Sequence, residues 1–155
     1  MSSEVNASSE DVSQLKFGPE FDDIHILSNA QVALILQVSE KSALQRDEEL
    51  HNVYTGTQKY VNRFNSMNNP EKQHQELVDE LDNLQEALST FRKETDDGEE
   101  LDLHAAEVAS LMNLVGTDTL VEEALALVPS LSRFPEAAID ELLDLIRSTM
   151  IRIVS

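Results

Sequence analysis

"LVDELDNLQEALSTF" (Leu77 to Phe91) is the stretch on which the reading of this chain turns. Leu77, Leu81, Leu84, Leu88 and Phe91 advance by alternating steps of four and three, the spacing of one face of an α-helix. Between them Asp79, Glu80, Asp82 and Glu86, with Glu76 just ahead, point away from the leucines. They are read as the solvated side of an amphipathic helix rather than as paired acid/base carboxylates.

Upstream, Asn68-Asn69-Pro70 stops one helix and restarts the chain, with Pro70 at a favoured first helical position. Before it, Leu50, Val53, Thr57, Tyr60, Phe64 and Met67 keep the three-four spacing despite Gly56 and predict a helix with one apolar stripe. Earlier still, Ser28-Asn29-Ala30-Gln31 has the form of a capping box. Behind it Val32, Ile35, Leu36 and Ser39 share one face of a helix running to about Arg46.

Downstream, "ETDDGEELD" (Glu94 to Asp102) is a charged, glycine-containing break read as a solvated loop. Three shorter helices follow. Val108, Leu111, Met112 and Val115 mark the first; Val121, Ala124, Leu125 and Val128 the second, after a capping box at Thr119–Glu122. Ile139, Leu142, Leu143 and Ile146 mark the third, and Pro129 and Pro135 bound the connection before it. Six amphipathic helices and no convincing sheet make the chain all-α. The expected organisation is an acidic, disordered N-terminus over 1–14, an extended arm over 15–27, long helices over 28–93, the acidic loop over 94–102 and C-terminal helices over 103–155.

Composition narrows the function. The formal net charge is −19, from 11 basic and 30 acidic residues among 155. Gripping nucleic-acid phosphates requires clustered Lys and Arg, and only Arg92-Lys93 sets two side by side. Anionic membrane surfaces are disfavoured for the same reason. The first residues lack the basic start and apolar centre of a secretory signal, and no apolar run approaches a membrane span. A soluble, intracellular protein is expected. With no cysteine there is neither a disulfide frame nor a thiolate metal site.

No constellation carries catalysis. Glu48/His51 and Glu71/His74 have the Glu-x-x-His form found in dimetal helical bundles. On a helical wheel, however, the first pair points nearly opposite its apolar stripe and the second sits on the flank of its own. His25 and His104 have no helically spaced ligand partner and are read as surface or cap residues. No phosphate loop, nucleophile elbow or dinucleotide fingerprint occurs. No cofactor is expected, and the chain does not read as an enzyme.

The arm is the unusual feature. "LKFGPEF" (Leu15 to Phe21) holds two of the five phenylalanines in a segment whose Gly-Pro step no helix interior would accept. Leu15, Phe17, Phe21, Ile24, Ile26 and Leu27 form a contiguous apolar strip in a short extended segment. Burying each large side chain stabilises by roughly 1.5–3 kcal/mol, and leaving the strip in water invites aggregation. A partner surface is the expected destination.

The collinear set "LKFGPEF", "LSNAQV" (Leu27–Val32), "YVNRF" (Tyr60–Phe64), "LHAAEVASLMNL" (Leu103–Leu114), "EEALALVPSL" (Glu122–Leu131) and "ELLDLI" (Glu141–Ile146) resembles the fourth-subunit family of RNA polymerase II. The resemblance spans roughly residues 11–147. It implies a non-catalytic, nuclear subunit that pairs obligately with the OB-fold seventh subunit. The pair forms a stalk on the polymerase core beside the RNA exit channel, supporting initiation and the handling of RNA and factors. It also implies that the C-terminal helices form a domain similar to the HRDC fold of RecQ-type helicases. The interface then falls on Leu15, Phe17, Gly18, Pro19, Phe21, Ile24, Leu27, Val32 and Ile35. The alternatives are an equivalent stalk subunit of another nuclear polymerase, or a free-standing acidic helical adaptor.

Overall fold

A computed structural model describes residue 11, residues 14–21 and residues 25–155. Six helices and one short hairpin succeed each other: α1 (Asn29–Gln45), α2 (Asn52–Arg63), α3 (His74–Ser89), β1 (Arg92–Glu94), β2 (Glu100–Asp102), α4 (Ala105–Leu114), α5 (Val121–Leu127) and α6 (Glu136–Val154). A 3-10 turn over Pro129–Arg133 joins the last two helices, and another covers Pro19–Phe21 in the arm.

The core is built on α3. Leu81 and Leu88 are fully buried, Leu77 and Leu84 nearly so, and Phe91 packs at the edge of the same cluster. Against them lie Val108, Leu111, Met112 and Val115 of α4 and its end, and Ile139, Leu142, Leu143 and Ile146 of α6. The stripes spaced three and four residues apart in these helices therefore meet one another, as their spacing requires. Helix α6 continues past Ile146 to Val154, burying Thr149, Met150 and Ile153. The Asn69 side-chain amide donates to the Ile153 carbonyl at 2.9 Å, and Arg152 pairs with Glu80 of α3 at 2.9 Å.

The N-terminal half differs from expectation in the rotation of its helices. In α1 the core takes Ala30 and Leu34, while Ile35 and Val38 stay half in water. In α2 the row facing α1 is Tyr54, Gln58 and Val61. The Tyr54 hydroxyl donates to the Leu36 carbonyl, Gln58 donates to Glu40 at 2.7 Å, and Val61 is buried. Of the row expected to be buried, Val53 and Tyr60 lie about 100° round the helix and are exposed, as is Phe64 at its end. Met67, past the end of α2, is buried in the core. Polar anchoring to α1 has overridden the apolar pattern.

Local chemistry explains three shifted boundaries. Helix α3 begins at His74, not Pro70, because the Asn69 side chain accepts the Glu71 N–H at 3.0 Å and holds Pro70 in a turn. Helix α5 is opened by Leu120, whose N–H donates to Glu123 at 3.0 Å; the Thr119 hydroxyl instead accepts the Gly116 N–H at 2.8 Å. The charged break after α3 is largely a hairpin. β1 and β2 pair antiparallel with Lys93 opposite Leu101, and Leu101 turns inward onto the core. The five residues between the strands close through Thr95 N–H to Glu99 O at 2.8 Å, with Gly98 at φ +80° where a side chain would be strained.

Candidate functional site

The sequence-predicted interface residues divide between two places. Leu27 and Ile35 line a groove of about 380 Å³ between the start of α1 and the outer side of α3. The groove floor is apolar, made by Leu34, Val78 and Leu81, and Val38 extends it one turn along α1. Its walls stay open: Leu27 is 43% exposed, and Ile35 and Val38 are each 52% exposed. Gln31 and Gln85 close one end with a side-chain hydrogen bond of 2.8 Å. His74, Ser39 and Asp82 complete the rim. Ser28 and Gln31 fix the entry to this site. The Ser28 N–H donates to the Gln31 side chain at 2.9 Å while the Gln31 N–H returns to the Ser28 hydroxyl, the capping box that the sequence announces.

Leu15 and Phe17 sit elsewhere, over the C-terminal half of this same chain. The Phe17 ring stacks on His104, with centroids 5.6 Å apart and planes 24° from parallel. A small cavity of about 120 Å³ lies beneath them, bounded by Ala106, Ser110, Leu127 and Pro129, with the Glu107 carboxylate at its wall. The backbone is bent there: Leu15 has φ +59°, Gly18 φ +34°, and Asp11 bridges Lys16 by two hydrogen bonds of 2.9 Å. Pro19 and Phe21 bound the 3-10 turn that follows. Val32 is half-buried on α1. Ile24 falls outside the described residues.

Under the arm one expectation is met and one feature is invisible to pattern reading. His104 caps α4, its Nδ1 accepting the Ala106 N–H at 3.0 Å, which leaves the ring face free for Phe17. Glu107 is buried to 1% exposure inside a helix that reads as apolar. Burial pushes its carboxyl up, but hydrogen bonds from Arg133, Ser130 and the His104 backbone outweigh it and hold the group below the usual glutamate value.

The groove also contains residues that the sequence reading passed over, namely Val38 and Val78. Val38 stands one turn beyond Ile35, so a second apolar row beside Ala30 and Leu34 was there to be found. Of the histidines in the Glu-x-x-His pairs, His51 caps α2 by accepting the Val53 N–H at 3.1 Å, and His74 lies at the groove rim. Among the described residues no three His, Asp or Glu converge as metal ligands, and no helix is long and apolar enough to cross a membrane. The apolar floor and the half-exposed Leu27, Ile35 and Val38 beside it suit the burial of another apolar surface. Residues 26–150 match the family model described as RNA polymerase Rpb4.

Proposed function

The chain belongs to the RNA polymerase Rpb4 family, and from that premise we propose that it is a non-catalytic subunit, the stalk subunit of the nuclear RNA polymerase II, paired with the OB-fold seventh subunit. The observation that carries this reading is the open groove between α1 and α3. Leu27, Ile35 and Val38 keep about half their surface in water beside a dry leucine floor, a cost that a partner side chain inserted there would remove. In the assembled stalk this chain is the acidic scaffold, and contacts to emerging RNA come from the partner's OB fold. The seat of Phe17 on His104 gives the arm an internal resting place at one end, while Leu27 carries its other end to the groove.

Affinity purification of the tagged chain from native cells tests the reading. One stoichiometric OB-fold partner together with the core subunits of polymerase II is the expected outcome. Recovery with the core of a different nuclear polymerase would move the chain to the equivalent stalk of that enzyme. Varied, substoichiometric partners would identify a free-standing adaptor.

A further inference from the structure

Helix α2 packs on α1 and leaves an apolar row facing away from it. Val53 is 69% exposed, Tyr60 58% and Phe64 48%, and with Thr57 they occupy positions i, i+7, i+11 and i+4 of one face. The two aromatic rings lie 4.9 Å apart, and the Arg63 guanidinium covers Phe64 at 5.3 Å.

Charge singles out the same helix. Between Glu49 and Glu71 the chain has no acidic residue, although acidic side chains number 30 in 155 overall. Within that window α2 contributes Lys59 and Arg63, and among the described residues neither is in an ion pair. Gly56 adds an independent sign. A glycine inside a helix costs roughly 0.5–1 kcal/mol relative to alanine. Nothing among the described residues requires it, since a Cβ there would meet none of their atoms within 4 Å. A glycine beside an apolar row on a helix is suited to the close approach of another backbone.

We infer that the outer face of α2 docks, as an amphipathic helix with Val53, Tyr60 and Phe64 as anchors, into an apolar groove with an acidic rim on a neighbouring protein subunit of the assembled polymerase. The inference rests on the family assignment and not on the stalk pairing proposed above. Helix-in-groove recognition uses this i, i+4, i+7, i+11 spacing. Lys59 and Arg63 flank the anchors, where they meet carboxylates at the rim. A protein is favoured over nucleic acid by count. Two cations can neutralise about two phosphates, whereas the remaining surface of a chain with charge −19 repels the rest.

Hydroxyl-radical footprinting of the free chain and of purified, RNA-free polymerase containing it tests the inference. Oxidation of Tyr60 and Phe64 is expected to fall at least fivefold in the polymerase. Gly56→Ala should raise the melting temperature of the free chain yet shorten its retention in the polymerase at raised salt. Lys59→Glu with Arg63→Glu should make that retention more salt-labile, with an unchanged circular-dichroism spectrum of the free chain. A retained chain with unchanged oxidation overturns this inference alone, and a chain absent from purified polymerase overturns it together with the stalk reading. Protection that appears only on adding RNA assigns the face to nucleic acid. Protection in the free chain that grows with concentration assigns it to self-association. Either result overturns the proposal.

Discussion

Arg133, in the turn before α6, grips the buried carboxylate of Glu107 in α4 with both terminal nitrogens, at 2.7 and 2.5 Å. The same guanidinium donates to the Ser130 carbonyl at 2.6 Å and to the Asp102 carbonyl at 2.7 Å, and lies 4.7 Å over the Phe134 ring. The Ser130 hydroxyl and the His104 N–H complete the carboxylate's shell at 2.6 and 2.9 Å. One residue thus ties the hairpin, α4 and the last turn together beneath the arm.

Arg133→Met strands the Glu107 charge. Breaking a fully buried pair costs about 3–5 kcal/mol. Arg133 keeps 32% of its side chain in water, so a loss of about 2–3 kcal/mol at neutral pH is expected. The pH dependence has a definite sign. In the native chain Glu107 titrates below its usual value near 4.5, so the pair contributes fully above that pH and fades as pH falls through the lowered value. Without Arg133, burial dominates and Glu107 takes up a proton more readily. The deficit of the variant should therefore shrink as pH is lowered from neutrality in urea denaturation, whereas a deficit that stays constant with pH would contradict the account.

Phe17→Ala tests the seat of the arm. Aromatic pairs of this geometry contribute about 0.5–1.5 kcal/mol beyond area burial. In the free chain the substitution should shift the His104 ring resonances while the helical circular-dichroism signal stays within a few per cent. Unmoved His104 resonances would mean that Phe17 does not rest there in solution.

The hairpin separates turn from strand. Replacing Thr95–Glu99 by Asn-Gly removes exposed charge and a five-residue connection but leaves the register intact, so the melting temperature should move by no more than about 2 °C. Leu101→Ser removes a side chain packed on the core, and should lower it by about 3–5 °C. A large loss from the turn variant would show that the acidic turn itself is packed.

Legibility followed the strength of the apolar signal. α3, α4 and α6 announce themselves through leucine, isoleucine and methionine rows whose burial leaves no other arrangement. Where polar groups decide the packing, the pattern misleads. The row Tyr54–Gln58–Val61 wins the inner face of α2 through a hydroxyl and an amide that no apolar count would select. The strands escape notice because Arg92-Lys93-Glu94 and Glu100-Leu101-Asp102 are three residues long and charged, and only pairing gives them away. Glu107 could have been suspected from Arg133, the basic residue of the connecting turn, but nothing in the spacing predicts their meeting. At the candidate site the sequence marks Leu27 and Ile35 as apolar near a helix start; that they flank Val78 and Leu81 is a fact of tertiary packing.

Charge makes a separate forecast. The isolated chain, with no basic stripe to offset its net −19, should bind single-stranded RNA negligibly at physiological salt in fluorescence anisotropy. Tight binding that weakens steeply with added salt would refute the assignment of RNA contacts to the partner.

The α1–α3 groove is the centre of the account, and the affinity of the Ile35→Ser/Val38→Ser double variant for the proposed OB-fold partner tests it most directly. Both side chains are half in water and outside the core cluster, so the free variant should keep its circular-dichroism spectrum and melt within a few degrees of the native chain. Its affinity, read by titration calorimetry, should fall by about two orders of magnitude, or about 2–3 kcal/mol, as for two apolar anchors lost from a desolvated interface. Native affinity from a folded double variant would contradict the claim that this groove is where the partner binds.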